Sequence, residues 1–595
     1  IGRRIAVQPG TTLLEAAQDA GVALSAVCGG AGVCGDCRVR VLQGRVSRLN
    51  DVERDHLTEA EQASGLRLAC QTIVEAADTV VVDVPRESLS ASQRSQVEGE
   101  ELPLPVDPPI AVYDLAVTPP SVDDLRGDWE RVRGIDPAQW QPSALVLADL
   151  PTIARAHGWR ARMIAHGRHI AAFLPPDAEP LGFAVDVGTT GLAAYLVSLK
   201  SGDTLGIAGA TNPQIAYGED VMARLTFAAR DRHGAQRLQT AIVDGLNDLL
   251  HEVCRQGGVP PSRVVEAVAV GNTAMHHLLL GLPTEQLGTA PYVPAVCAAM
   301  LTPARDLGLR LAPGALLYLP PNVAGFVGAD HVAMLLATET AEQPGITLAL
   351  DIGTNTEISI NAHGQLWSCS TASGPAFEGA HIRDGMRAAD GAIERVIWQD
   401  GALHWLTINH APPVGLCGSG ILDAVAMLRA GGVISEMGAM TRDHPAVQGE
   451  NHNLWYEIVP ARRTGHGRAV GLSRADINEV QLAKAAIRAG IKLLTERAGL
   501  SESEIDRVIV SGAFGNYIDL ENAIAIGMFP ALPLERFRQV GNAAGIGAKR
   551  LLVNAGERER AAALVARLRY IELTNHPDFT DRFSQAVKLT PDPWD

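Results

Sequence analysis

Two stretches of the chain, "LGFAVDVGTTGLAAYLVSL" from Leu181 and "ITLALDIGTNTEISI" from Ile346, follow one plan. Each is an apolar strand that reaches an aspartate, Asp186 or Asp351, turns through small residues and returns as a second strand. The turns are Gly188-Thr189-Thr190 and Gly353-Thr354-Asn355. A β-hairpin of this kind exposes backbone N–H groups and short hydroxyls at its tip, where they can cradle phosphate oxygens. The aspartate closing each inner strand is placed to hold Mg2+, usually through water. One such hairpin constrains little. Two, 165 positions apart, predict a duplicated pair of lobes facing each other across a cleft.

At 595 residues the chain is too long for one core and is expected to hold three or four domains. A net charge of -17 argues against nucleic acid, which demands concentrated Lys and Arg. The longest uncharged runs, such as "LAPGALLYLPPNVAGFVGA", are broken by Gly, Pro or Asn, so no membrane span is expected. No charged-then-apolar leader opens the chain, and a cytoplasmic location is the expectation. There, eight cysteines serve better as ligands or small buried hydrophobes than as disulfides.

Three of those cysteines fall within "CGGAGVCGDC". The spacing is Cys28-x5-Cys34-x2-Cys37, followed by Cys70 in "LRLAC". Four thiolates can hold a [2Fe–2S] cluster, three from one Gly-rich loop and one from a distant strand. The flanking "RRIAVQPGTTLLEAAQDAGV" reads strand, turn, helix, and "CRVRVLQGRV" and "TVVVDVP" read as short strands. This resembles a ferredoxin-like (β-grasp) domain of the plant and adrenodoxin type over residues 1–85. A zinc site or four unrelated buried cysteines are the alternatives. Cys254, Cys297, Cys369 and Cys417 are scattered singly and read as packing.

Residues 86–109 are polar and Pro-dotted and read as a flexible linker, either a tether for a swinging domain or a spacer. Residues 110–178 alternate strand-like runs ("IAVYDLAV", "ALVLADL", "HIAAFLP") with a helical "TIARAHG", giving a small middle α/β domain.

Residues 179–595, with both hairpins, resemble the two-lobed ATPase domain of the sugar kinase, Hsp70 and actin superfamily. By that resemblance "YLPPNVAGFVGADHVAMLLA" is the first connecting helix and "EVQLAKAAIRAGIKLLTERAG" the second. "VIVSGAFGNYIDLENA" matches the adenosine motif, with its turn at Ser511-Gly512-Ala513. The nucleotide implied is ATP with Mg2+. Lys484 would lie near the purine, or else on a solvated helix face with Arg488 and Lys492. Where Hsp70-like members carry a water-positioning Glu, this chain has "PPNVAG". Glu378 in "TASGPAFEGAHI" is the catalytic candidate, against a loop or hinge role.

The chain as a whole resembles the reductive activators of corrinoid proteins, on "VGNTAMHHLLLG", "LCGSGILDAVA", "SGPAFEGA" and "SGAFGNYID" besides the cluster and hairpins. The resemblance implies ATP-dependent, one-electron reduction of an inactive Co(II) corrinoid methyl carrier to Co(I), with the electron passing through the [2Fe–2S] cluster. Plant-type clusters lie near −400 mV, and moving one electron uphill by 100 mV costs roughly 2.3 kcal/mol, which ATP turnover could supply. An upstream electron donor is implied, and a homodimer is compatible with related activators. Two other readings stand beside this one. The chain could serve another low-potential enzyme, a dehydratase or reductase, although such activators lack the ferredoxin-like domain. It could also be a redox-sensing nucleotide-binding protein.

Overall fold

A computed structural model of the chain describes residues 3–20, 22, 24, 30–75, 79–85, 88, 97–133, 140–450, 453–512, 514–515, 517–574 and 576–592. Among them no helix is long and apolar enough to cross a membrane.

The front domain packs one helix on a small sheet. Helix Leu13–Asp19 starts at a capping box, in which Thr12 and Glu15 bond each other's backbone N–H, and it buries Leu13 and Leu14. Strand Arg38–Gln43 lies between Leu66–Leu68 and Val81–Asp83, antiparallel to both. The expected strand in "RRIAV" is not formed. Its first four residues remain exposed, and only Val7 packs on the front-domain core. At the centre a buried ion pair forms, with Arg67 donating to both Glu53 oxygens at 2.8 Å.

The stretch read as a flexible linker does not run free where it is described. Residues 97–107 lie along the large domain, with Glu100 N–H bonded to Val540 O and Asp107 N–H to Val553 O. Tyr195 Oη donates to Val97 O at 2.6 Å. Arg538 pairs with Glu100 and Lys549 with Glu101. The polar side chains that suggested a tether are thus matched by basic partners from a distant part of the sequence.

The small domain is a three-stranded antiparallel sheet, Ala111–Ala116, Arg160–His166 and His169–Leu174, covered by short helices. "ALVLADL" is helical, not a strand. Ser143 caps helix Ala144–Leu147, and Leu150–Ala156 follows directly. Val146 is buried while its neighbour Leu145 is exposed, so burial follows the turn of a helix that "LVL" alone does not reveal.

The two lobes share one topology. In the first, Leu181–Val187, Gly191–Ser198 and Thr204–Thr211 form an antiparallel meander, and Val264–Gly271 and Leu316–Leu319 add in parallel beside the first strand. In the second, Ile346–Ile352, Thr356–Ala362 and Gln365–Thr371 repeat the meander, with Arg507–Ser511 and Phe537–Gly541 added in parallel. Asp186 lies opposite Val270, and Asp351 opposite Ser511, in equivalent registers.

Helix Ala329–Ala337 packs in the first lobe, as expected of the first connecting helix, against helix Ala543–Val553. Their contact is close because Gly547 lies on the Ala333 carbonyl, where a Cβ would come within 2.0 Å. The expected second connecting helix, Arg474–Arg497, instead stays in the second lobe, where Gly490 fits against Thr371 and Ile358. It is Ala543–Val553 that returns to the first lobe's core, with Leu551 and Leu552 buried there.

Candidate functional site

The hairpin tips converge on a cavity of about 220 Å³. Asp186, Gly188, Thr189 and Thr190 line one side, and Asp351, Gly353, Thr354 and Asn355 the other. Each tip is braced from behind. Asn272 Nδ2 donates to Thr189 Oγ1 at 2.9 Å. Behind the second, Ser373 Oγ lies 3.3 Å from the carbonyls of Gly353 and Thr354.

Two carboxylates not foreseen from the sequence join Asp186 and Asp351. Asp330 opens helix Ala329–Ala337, and Glu357 stands opposite Asp351 in the hairpin register. Burial pushes the Asp186 carboxyl up to about 7, with the Asp351 charge adding and the Asn542 amide bond at 3.0 Å opposing. Burial likewise pushes Asp351 up to about 6, against a Ser511 hydrogen bond. Asp330 and Glu357 are raised well above the usual range, by burial first and by neighbouring carboxylates second. Four such groups cannot all ionise without a cation among them. Among the described residues no three His, Cys, Asp or Glu are spaced to hold an ion directly. A hydrated cation fits this wall better than a bare one.

Glu378 lies where the two tips meet. Its Oε2 accepts from Thr190 Oγ1 at 2.6 Å and its Oε1 from Thr354 Oγ1 at 2.5 Å. Beyond the hairpin tips the cavity is lined by Met386, Ile408 and the stacked rings of Phe377 and Phe514, whose centroids are 4.8 Å apart. Gly512 lines this part, Ser511 is buried behind it, and Ala513 lies outside the described residues.

Lys484 does not line the cavity. It is buried, with Nζ bonded to the Lys588 carbonyl, and burial lowers it to about 7. Arg488 is also buried, clamped on Glu502 at 2.5 and 2.6 Å. The basic stripe is therefore not a solvated face, because the C-terminal segment covers it.

In the front domain Cys70 and Cys34 lie within electrostatic reach of Cys37, and Cys28 lies outside the described residues. Cys70 N–H points at Cys37 Sγ at 3.5 Å, and Gln71, whose Oε1 accepts from Asn50 Nδ2, donates through Nε2 to Cys70 Sγ at 3.4 Å. Burial and the neighbouring cysteine sulfurs push the Cys37 thiol strongly up, with its hydrogen bond to Cys70 the largest cause. Gly35 turns the loop at φ 75°, and a Cβ there would meet His56 at 2.9 Å. Two thiols from one loop and a third from beyond strand Leu66–Leu68, with N–H donors aimed at sulfur, fit an iron–sulfur cluster. This domain rests on the large one, where Gln18 Nε2 bonds the Ala216 carbonyl.

Comparison with known proteins agrees with this geometry. Residues 1–75 match a 2Fe-2S iron-sulfur cluster binding domain, 99–180 a RACo linker region, and 181–343 a RACo middle region. Residues 345–594 match the C-terminal domain of RACo, the ASKHA domain. The middle region is thus the first lobe, and the small 110–178 domain falls within the linker region. The chain is 33% identical to the corrinoid activation enzyme RamQ of Eubacterium limosum, over 95% of this chain and 93% of that one. It is 26% identical to the [Co(II) methylated amine-specific corrinoid protein] reductase of Methanosarcina barkeri, over 61% and 68%. A solved reductive activator for corrinoid, iron-sulfur protein superposes with TM-score 0.72 at 32% identity, covering 99% and 96%. With a 2Fe-2S domain at the front, a nucleotide-binding ASKHA domain behind it and relatives matched along nearly its whole length, the chain belongs to the RACo family of reductive activators of corrinoid proteins.

Proposed function

We propose that the chain uses ATP with Mg2+ to return the Co(II) form of a corrinoid methyl carrier to Co(I). The observation that carries this reading is the pair of hairpins closing on one cavity, with the cysteine domain seated on the lobe that holds the first of them. A bound [2Fe–2S] cluster supplies single-electron transfer. Cys28, Cys34, Cys37 and Cys70 would hold it, while the Cys70 and Gln71 N–H groups stabilise negative charge on sulfur.

In the cleft, the tips of both hairpins bind phosphate oxygens through backbone N–H and the hydroxyls of Thr189, Thr190 and Thr354. Asp186 and Asp351, backed by Asp330, would hold the ion through water. Glu378 is within hydrogen-bond reach of both tips and is the group placed to orient water or to latch the lobes. The names of the relatives support a corrinoid partner.

The test is anaerobic. The iron-loaded chain is mixed with a Co(II) corrinoid protein of the same organism, a reductant and Mg-ATP, and Co(I) absorption is followed. Co(I) that appears only with ATP, and is lost in Cys37→Ala and Asp351→Ala, supports the reading. ATP consumption without Co(I) across several corrinoid proteins moves the acceptor elsewhere.

A further inference from the structure

Arg224, in helix Val221–Arg230, is fully buried, yet it bonds only uncharged acceptors. Its Nε donates to Gly218 O at 2.8 Å, and Nη1 reaches Gln214 Oε1 and Met275 Sδ, both at 3.3 Å. Nη2 donates to Thr189 O at 2.5 Å. Among the described residues no carboxylate pairs with it directly. Asp220, Glu378 and Glu219 are the acidic groups that face it, and Arg387 is the basic one. These carboxylates face it without bonding it, so its charge is only partly offset, and an anion held at the neighbouring hairpin tip would add to that offset.

The Thr189 bond also fixes a direction. In a trans peptide the C=O and the following N–H point opposite ways. Asn212 Nδ2 draws the Gly188 carbonyl inward at 2.8 Å, and Arg224 draws in that of Thr189. The N–H groups of Thr189 and Thr190 are thereby turned the other way, on residues that line the cavity.

The same guanidinium reaches a second element. Gln214 lies in the first turn of the short helix Pro213–Tyr217 and Gly218 caps its end, and Ala216 of that helix accepts from Gln18 of the cysteine domain. Asp19, next to Gln18, lies within electrostatic reach of Tyr217. One side chain thus bonds the tip of the first phosphate loop and both ends of the turn on which the cysteine domain rests.

We propose that Arg224 is a positioning residue that couples the first phosphate loop to the seat of the iron–sulfur domain, so that nucleotide in the cleft stiffens the turn 213–218 and the helix 13–19 docked on it. This rests on the nucleotide reading given above.

Amide hydrogen exchange on the full-length, iron-loaded chain tests it, with and without Mg-ADP and a non-hydrolysable ATP analogue, alongside calorimetric binding. In the wild type, nucleotide should slow exchange at least about threefold in 186–191, in 213–219 and in 13–20. Arg224→Gln should weaken nucleotide binding roughly tenfold, as expected for loss of a charged hydrogen bond. At saturating nucleotide it should keep the protection in 186–191 and lose it in 213–219 and 13–20. Arg224→Lys retains the charge, is the gentler change for folding, and cannot span both acceptors. It should show the same loss of coupling.

Protection in 213–219 that persists at the wild-type level in either variant overturns the proposal. So does a wild type in which nucleotide protects 186–191 and leaves 213–219 unchanged. A wild type that binds no nucleotide by calorimetry overturns the cleft reading itself, and this proposal with it.

Discussion

The hydroxyls of Thr190 and Thr354, one from each hairpin tip, donate to the two oxygens of a single carboxylate, Glu378, at 2.6 and 2.5 Å. One side chain thus bridges the lobes at the point where both hairpin tips converge. On the proposed reading, a nucleotide phosphate entering there would compete with it for the same hydroxyls. Replacing Glu378 with Ala is expected to tighten nucleotide binding by about tenfold, roughly 1.4 kcal/mol, while slowing ATP turnover. Calorimetry with Mg-ADP and a phosphate-release assay read the two effects separately. Weaker binding in Glu378→Ala would refute the competition.

The carboxyl wall makes a prediction about pH. Asp186 and Asp351 are raised to about 7 and about 6, above an unfolded value near 3.9. Their contribution to stability is therefore fully present below that unfolded value and is lost as pH rises through 6 to 7. In chelator, the melting temperature should fall between pH 5 and pH 8, and added Mg2+ with nucleotide should restore it. Asp330→Asn should flatten this fall and weaken Mg-nucleotide affinity by roughly 10- to 100-fold. A pH-independent melting temperature in chelator would count against the charge cluster.

Glu53 gives the opposite sign. Burial raises its pKa, but bonds from Arg67, Asn50 N–H and Leu68 N–H together hold it below the usual range. The pair's stabilisation is present above the unfolded value near 4.3 and is lost as pH falls through the lower folded value. Glu53→Gln leaves the buried Arg67 without its counter-charge and should cost about 3–5 kcal/mol in the front domain. Because Arg67 lies three residues before Cys70, the loss should show first as bleaching of the iron–sulfur absorption on mild heating.

The docked segment 97–107 is testable by proteolysis. A Cβ on Gly99 would lie 2.7 Å from both Asn542 O and Ile546 Cγ1. Gly99→Val should lift this segment and expose it to limited digestion, and Glu101→Gln, which removes the carboxylate partner of the buried Lys549, should cost about 1.5–3 kcal/mol.

What the sequence revealed and what it hid divide on physical grounds. The hairpins and the cysteine loop were legible because their chemistry lies within a few consecutive residues. Asp330, Glu357, Asn272, Asn542 and Arg224 were not, because each matters only through partners brought in from another part of the chain. Asn542, for example, reaches Asp186 from 356 positions away. Lys484 misled because a cation on a helix reads as solvated, and only the fold shows the C-terminal residues closing over it. The linker misled in the same way. Its polarity gives no hint that its backbone pairs with Val540 and Val553.

That pairing shortens a leash. With Val97 bonded to Tyr195, the chain between the last strand of the front domain, ending at Asp83, and its first fixed point is only residues 84–96. Such a stretch spans at most roughly 50 Å. An acceptor served by the cysteine loop would therefore have to come within that reach of Val97, on the lobe that carries the first hairpin.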